Sequence, residues 1–366
     1  MKVLQYLQYM VKHDASDVFI SSGSPVLIKI KGKSSPANKE HIVTADESKE
    51  IAYSLMNEHQ IKLFDTNLSV GLGVSIPKLG RFRVSVFRQR GSVALVIRNI
   101  KTEPATLEAL KLPPLLGQLM FEKRGLILVA GATGSGKSST LAAMIGHRNA
   151  HVAGHILTIE DPIEYLFSYK KSIVNQREVH IDAASYADAL HSAMREAPDV
   201  IMIGEIRDMD TMKQAIIYSE TGHLCLATIH ASNAIETLDR VINFFNEANR
   251  TQTLMDLSRN LRTIVCQRLV KTKEGSLVPA LEILNNSSYF SELIQKGKID
   301  ELAEAFGRNM DKDTITFDQS LIELYQTGAI SAEEAIMHAD SKHNIEVQIR
   351  LGSNTANING DWKVDP

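Results

Sequence analysis

The chain has 366 residues, 44% of them hydrophobic and 23% charged, and Lys+Arg 40 against Asp+Glu 43 leaves a formal charge of −3. That length suits about two domains of roughly 150 residues each. The composition belongs to a folded chain, and the slightly acidic balance argues against a protein that depends on bulk attraction to nucleic acid. The two cysteines, Cys225 and Cys266, lie in the apolar stretches LCLAT and TIVCQRL. They are too few for a disulfide framework or a four-cysteine zinc site, which fits a reducing cytoplasm. Gln5, Gln8, Lys12 and Asp14 interrupt the amino terminus before a signal-like apolar run develops. GLILVAGA and VIMIG fall short of the ~20 apolar residues of a membrane helix, so any membrane association is expected to run through a partner.

Val3, Leu4, Leu7, Met10 and Val11 recur at helical spacing and predict a first amphipathic helix. DVFISSGSPVLIKIKGK follows as two short strands around Gly23–Pro25. TADESKEIAYSLMNEHQIKLF reads as helix, with Thr44 and Glu47 at capping-box spacing. GLGVSIPKLGRFRVSVFRQRGSVALVIRNI reads as strands with turns near Pro77–Gly80 and Gly91. Residues 1–98 are therefore expected to form a small α+β domain, and the proline-bearing stretch 99–112 a linker. In 113–352, the apolar runs GLILVAG, HILTIE, DVIMIG and HLCLATIH alternate with helical segments, the rhythm of an open, mainly parallel α/β sheet. The last third reads as helical: Leu254, Leu257, Leu261, Ile264 and Val265 form one stripe, and Ser331 with Glu334 a second capping box. Residues 353–366 lack an apolar period and are expected to be a mobile tail.

Gly131-Ala132-Thr133-Gly134-Ser135-Gly136-Lys137-Ser138 matches the phosphate-loop pattern and lies between an apolar strand and a helical segment. Glycines let backbone N–H groups turn toward phosphates, and the helix N-terminus adds a favourable dipole. Lys137 is placed to reach the β- and γ-phosphates, and the Ser138 hydroxyl to ligate Mg²⁺. A second strand, DVIMIG, ends at Glu205, an acid for the same ion through water; Gly204 stands where the usual motif offers Asp. Glu160, Asp161 and Glu164 gather around Pro162, and a carboxylate there could orient the attacking water. His230, beside Thr228 at the end of another strand, could donate to the γ-phosphate, whereas His223 reads as positional. Arg81, Arg83, Arg88 and Arg90 share one stretch of the first domain, where an arginine could act on a neighbouring subunit's nucleotide.

GATGSGKSS, ILTIEDPIEY, APDVIMIGEIRD and TGHLCLATIHASNAIETLDR resemble, in order, the Walker A, Asp-box, Walker B and His-box motifs of the type II/IV secretion ATPases. ASDVFI and GRFRVSVF resemble the amino-terminal domain of the pilus retraction (PilT/PilU) branch, and the likeness runs to about Leu351. LAAMIGHRN, IVNQREVHID, MDLSRNLRTIV and HADS are similar to the PilU subgroup. The AIRNLIRE-like motif of the PilT subgroup is missing, with SSYFSELIQKG at Ser287–Gly297 in its place.

The resemblance implies an α/β fold: a RecA-like P-loop ATPase domain, a smaller PAS-like N-terminal α+β domain and a helical C-terminal region. It implies Mg²⁺-dependent ATP hydrolysis by a cytoplasmic homo-hexamer that docks on an inner-membrane platform protein (PilC-like) and works with a PilT ring. Gly131 to Ser139 and His230 would bind nucleotide, Glu164 falls on the family's catalytic glutamate, and Glu205 on its Walker B glutamate. The alternatives are a ring that scaffolds PilT without turnover, or a primary PilT-type motor. A nucleic-acid translocase would need aromatic and basic residues interleaved for stacking, and no such run is visible.

Overall fold

The strand-period segments sort into two sheets in the computed structural model, which describes residues 3–101, 103–308 and 314–358. Contacts divide the chain into two units, Met1–Pro104 with Ile163–Ser168, and Ala105–Pro162 with Tyr169–Pro366.

The first unit contains α1 (Val3–Lys12), β1 (Ala15–Ser21), β2 (Leu27–Ile30), β3 (Lys33–Pro36), α2 (Ala45–Ser54) and α3 (Glu58–Asn67). The long strands β4 (Ser69–Ile76), β5 (Gly80–Gln89) and β6 (Ser92–Ile100) complete it. Its sheet has the order β3-β2-β1-β6-β5-β4, every neighbouring pair antiparallel. Along β5, Phe82, Val84 and Val86 are buried, and they join Val3, Leu7, Met10, Ile51 and Phe64 in one core. The single helix expected from TADESK to KLF is two: α2 stops at Ser54, with Leu55 as its C-cap, and Asn57 caps α3 in a reciprocal capping box with Gln60. Thr44 caps α2 as expected, while the Glu47 carboxylate meets His41 Nε2 at 3.0 Å.

The second unit opens with α4 (Pro114–Leu119), β7 (Gly125–Ala130), α5 (Lys137–His151), β8 (Gly154–Glu160), β9 (Ser172–Glu178), α6 (Tyr186–Ala193) and β10 (Val200–Ile203). It continues through α7 (Met209–Glu220), β11 (Leu224–Ile229), α8 (Ala234–Asn243), α9 (Glu247–Asn260), β12 (Leu261–Lys271) and β13 (Leu277–Asn285). Five helices close it: α10 (Ser288–Gln295), α11 (Ile299–Gly307), α12 (Phe317–Gln326), α13 (Ala332–His338) and α14 (Lys342–Ile358). The sheet order is β13-β12-β7-β11-β10-β8-β9, parallel throughout except for the β12–β13 pair.

Every residue of β7, β10 and β11 is buried, as in a sheet covered on both faces. Leu126, Leu128, Ile201, Ile203, Cys225, Ala227 and Ile264 join the core built with α6 to α9. The alternate residues face the other side, where α5 packs against β7, β8, β9 and β11. From β7 the chain crosses three places to β8 and later returns beside it as β11 and β12. Such divergence places a ligand crevice at the carboxyl ends of the strands.

One expectation is overturned. Leu261, Ile264 and Val265 do not continue a helical stripe from Leu254 and Leu257; α9 stops at Asn260 and Leu261–Lys271 is a strand paired with β7 and β13. The 3–4 spacing was an accident of a helix abutting a strand, and the β-branched run TIV decides for a strand buried on both faces. The capping box expected at Ser331 is also divided: Ser331 caps α13, but Glu334 accepts the N–H of Lys271 at 2.6 Å. Helix α14 carries the backbone to Ile358, and residues 359–366 of the expected tail lie outside the described residues.

Glu282 on β13 is a buried carboxyl that accepts the N–H of Ala234, the first residue of α8, at 2.6 Å. Burial, with Asp340 and Asp318 adding to it, outweighs the Ala234 bond and Arg268 and pushes its pKa up from 4.5 to about 7. Below the ordinary value the group is protonated in both folded and unfolded chains and costs nothing. As pH rises from 4.5 to about 7 only the unfolded chain ionises, so stability falls, and the loss is complete above about 7. Glu282→Gln keeps an acceptor for Ala234 but cannot ionise. Urea unfolding should therefore show the variant gaining up to about 3 kcal/mol on wild type between about pH 5 and pH 8.

Candidate functional site

The carboxyl end of β7 turns directly into the loop Gly131–Gly136 and then α5. Gly131, Gly134 and Gly136 have φ of 152°, 81° and 92°. A Cβ at Gly131 would stand 2.4 Å from Ser135 Oγ and 2.7 Å from the Gln267 carbonyl, and one at Gly136 2.6 Å from Gln267 Nε2. The loop is thus curled against β12 in a way only glycine permits. Helices α6, α7 and α8 are capped by the side chains of Ser185, Asp208 and Asn233, but α5 begins at Gly136 with no side-chain cap. A helix start without a side-chain cap is the kind of terminus that suits an anion.

Lys137 is buried, and its ammonium donates to the carbonyls of Gly131 and Ala132, both at 2.9 Å. Burial lowers its pKa, and the negative charge of Glu205 opposes that shift. Glu205 follows β10, with its Oε2 accepting from Arg207 Nη2 at 2.7 Å and its Oε1 3.1 Å from His230 Nε2. Burial disfavours its ionised form, but the Arg207 hydrogen bond and charge, with His230 and Lys137, prevail and hold its pKa below the usual value. A cation, an anion and a titratable ring therefore share one sheet edge. The phosphate loop, His230, Ser232, Glu236, Gln267, Arg268 and His338 line a cavity of about 570 Å³.

Gly204 explains its own departure from the usual motif. A Cβ there would meet Tyr186 Oη at 2.9 Å, and the Glu160 Cα and Ile159 O at 3.2 Å. Its N–H donates to Ile159 O at 2.7 Å and its carbonyl accepts from Thr228 Oγ1 at 2.5 Å, so β8, β10 and β11 are tied together immediately before Glu205.

The remaining expected residues separate. Glu160 is buried and accepts from Thr158 Oγ1 at 2.6 Å and Gln176 Nε2 at 3.1 Å, whereas Asp161 and Glu164 are exposed. Glu164 belongs to the first unit, in the segment where Tyr165 bridges to Lys101 and the Leu166 N–H donates to Lys101 O. Ser138 is exposed at the start of α5, and Ser139 and Thr140 border a second cavity of about 350 Å³. His223 lies at the opposite, amino end of β11 and bonds to Tyr218 O and Thr221, a structural role. Arg81 and Arg83 alternate with buried Phe82 and Val84 and so leave the first sheet on its other face. Arg88 does not join them: it lies 5.7 Å from the Phe64 ring centre and 3.9 Å from Asp65, on the helix-covered side.

Sequence reasoning missed Gln267 and Arg268, because their strand was read as helix, and Tyr186. Arg207 stood two residues beyond Glu205, and its sign was the available signal. No group of three or more His, Cys, Asp or Glu suited to a metal ion occurs among the described residues. No helix among them is long and apolar enough to cross a membrane.

Against known proteins, residues 3–356 match the model of the Type II/IV secretion system protein family, and the chain belongs to that family. It is 45% identical over 354 residues to the type IV pilus ATPase PilU of Pseudomonas aeruginosa, covering 96% of this chain and 92% of that protein. The retraction ATPase PilT of the same organism is 37% identical over 338 residues, covering 92% and 97%. The crystal structure of the pilus retraction motor PilT with bound ADP superposes with a TM-score of 0.88 at 38% identity, covering 95% of this chain and 99% of that one.

The crowding at Gly204 gives a direct test. Gly204→Ala must push Tyr186 and the Glu160 backbone apart, which should cost about 1–3 kcal/mol in thermal or urea unfolding. Glu205 would shift with its strand end, so ATP turnover should fall with it; an unchanged melting curve and turnover would show the space to be larger than the geometry allows.

Proposed function

We propose that this chain is an ATP-hydrolysing motor subunit of the type IV pilus machinery, acting in retraction beside a PilT ring in the manner of PilU. The observation that carries the reading is the charged strand edge: Lys137 donating to the loop carbonyls, with Glu205 between Arg207 and His230. A scaffold without turnover would have no need to keep a buried ammonium and a half-buried carboxylate in mutual range.

Within this reading the loop N–H groups and Lys137 take up the charge of the β- and γ-phosphates. The buried Ser135 Oγ, which has no hydrogen-bond partner, offers a further donor inside the cradle. The residues fit a divalent ion: the Ser138 hydroxyl would hold it directly and Glu205, both of whose oxygens are engaged, through water. When bound, Mg²⁺ would supply positive charge that offsets the charge of the phosphates. His230, through its contact with Glu205, senses the γ-phosphate. Glu164 is the carboxylate that orients the attacking water. Arg81 and Arg83 act on a neighbour's nucleotide in a homo-hexamer, which docks from the cytoplasm on an inner-membrane platform protein. The replacement of the AIRNLIRE-like motif supports the PilU-like role: Ser287 caps α10, and Phe290, Leu293 and Ile294 of SSYFSELIQKG are committed to the core.

Purified wild-type protein should hydrolyse ATP in a Mg²⁺-dependent way, and Lys137→Ala should reduce turnover to background. Equal rates for the two proteins, with and without PilT, would favour the scaffold. Glu164→Ala should bind ATP normally yet lose turnover; a loss of affinity beyond about tenfold, roughly 1.4 kcal/mol, would reject its role as a water-orienting group. An Arg81/Arg83 double alanine variant should bind ATP but hydrolyse it poorly. Mixed rings with Lys137→Ala subunits should recover part of the activity. Absence of recovery in rings shown to co-assemble would remove the arginines from the mechanism.

A further inference from the structure

Adjacent residues on a strand point to opposite faces, and at Gln267 and Arg268 this alternation connects two distant parts of the second unit. Gln267 turns toward α5, where its Oε1 accepts from Thr140 Oγ1 at 2.7 Å beneath the phosphate loop. Arg268 turns the other way. Its guanidinium carbon lies 3.8 Å from the ring centre of Phe317, the first residue of α12. Its Nη1 donates to Asp340 Oδ1 at 2.7 Å and to His338 O at 3.0 Å, in the connection between α13 and α14. The N–H groups of Asp340 and Ser341 donate to the Asp318 carboxylate on α12 at 2.8 and 3.1 Å, so this connection is a closed polar knot. On its remaining side, Arg268 Nη2 reaches Ser232 O at 3.5 Å, a long contact. Ser232 lies two residues past His230, whose ring meets Glu205.

The grip is asymmetric. Short, charge-assisted bonds and a stacked ring fasten the guanidinium to α12–α14, and one long contact touches the loop that carries His230. A planar cation so fastened moves with the helices as one body. We propose that Arg268 is a positioning residue: it couples the placement of the His230–Ser232 loop to the α13–α14 connection, so that nucleotide at the phosphate loop is registered in those helices. This rests on the nucleotide-site reading above. The cavity agrees with it, since the phosphate loop, Ser232, Arg268 and His338 line the same space.

Hydrogen–deuterium exchange on the full-length protein, with and without Mg²⁺ and a non-hydrolysable ATP analogue, tests the coupling. In wild type, nucleotide should alter exchange both at Gly131–Ser138 and at His338–Ile345. In Arg268→Gln the first response should persist and the second should vanish, with kcat falling about tenfold while nucleotide affinity is retained. Arg268→Lys keeps the charge but not the planar fork and should restore only part of the response. Asp340→Asn, which leaves the Phe317 stack in place, should also reduce it, and the Arg268→Gln/Asp340→Asn double variant should be no worse than the stronger single one. A response at His338–Ile345 that survives in Arg268→Gln and Asp340→Asn, or is absent from wild type while the phosphate loop responds, overturns the proposal. No response at the phosphate loop in wild type would overturn the site reading itself, and the coupling with it.

Discussion

Lys137 brings a positive charge to a place where burial disfavours it, and the groups around the carboxyl edge of the second sheet follow from that. Carbonyls of Gly131 and Ala132 must turn back on the ammonium, which requires the loop to curl through left-handed and otherwise forbidden φ values at its glycines. Glu205 must remain ionised to favour the charged lysine, although its own burial works against this. Arg207 and His230 supply what burial removes. Deleting one member of such a set leaves the buried Lys137 with less compensation, while the exposed Arg207 and half-exposed His230 lose little by it. Phosphate entering the loop would replace the carbonyls as the partner of the lysine.

The same edge explains why the strand ends are so closely sewn. Gly204 lies against Ile159, Glu160 and Tyr186, and Thr228 donates to its carbonyl. Glu205 can stay in range of Lys137 only if β10 ends at a fixed height relative to β8 and β11, and backbone contact without an intervening side chain fixes it. An Asp at 204 would insert a carboxylate beside the buried Glu160. The departure from the usual motif is thus matched by packing, and the next residue, Glu205, is the acid that the strand presents at this edge.

What could be read in the sequence follows the range of the interactions. The phosphate-loop motif is a local device, six loop residues and the first two of α5 after the end of β7, and its strand–loop–helix setting was legible in the sequence. Glu205 was legible as an acid closing an apolar run. Among Glu160, Asp161 and Glu164 the local pattern offered no choice; burial and the Thr158 and Gln176 bonds distinguish Glu160, and the family resemblance alone singles out Glu164. The bond between Thr140 and Gln267 spans 127 residues, and no window of sequence contains it. Strand β12 was misread for a related reason: TIVCQRLV is stabilised by β7 and β13, neither of which leaves a mark on its own periodicity. The arginines of β5 show the converse case. Alternation with buried Phe82 and Val84 was visible and sends Arg81 and Arg83 to one face, yet it also sends Arg88 to the other, against Phe64.

Around Arg268 acidic side chains gather on the side of the helices. Asp340 bonds its guanidinium, and Arg268, Asp340 and Asp318 all act on the charge of Glu282. Glu282 resolves part of this by resisting ionisation, and Asp318 by accepting two backbone N–H groups. Displacing Arg268 would break its bonds to Asp340 and the His338 carbonyl and its stack on Phe317, which holds it firmly on that side. Toward Ser232 nothing comparable restrains it. With a firm hold on the helices and a lighter one on the loop, a movement at His230 reaches the knot through the bond from Arg268 to Ser232 O, and the knot at Asp318, Asp340 and Arg268 moves as a whole.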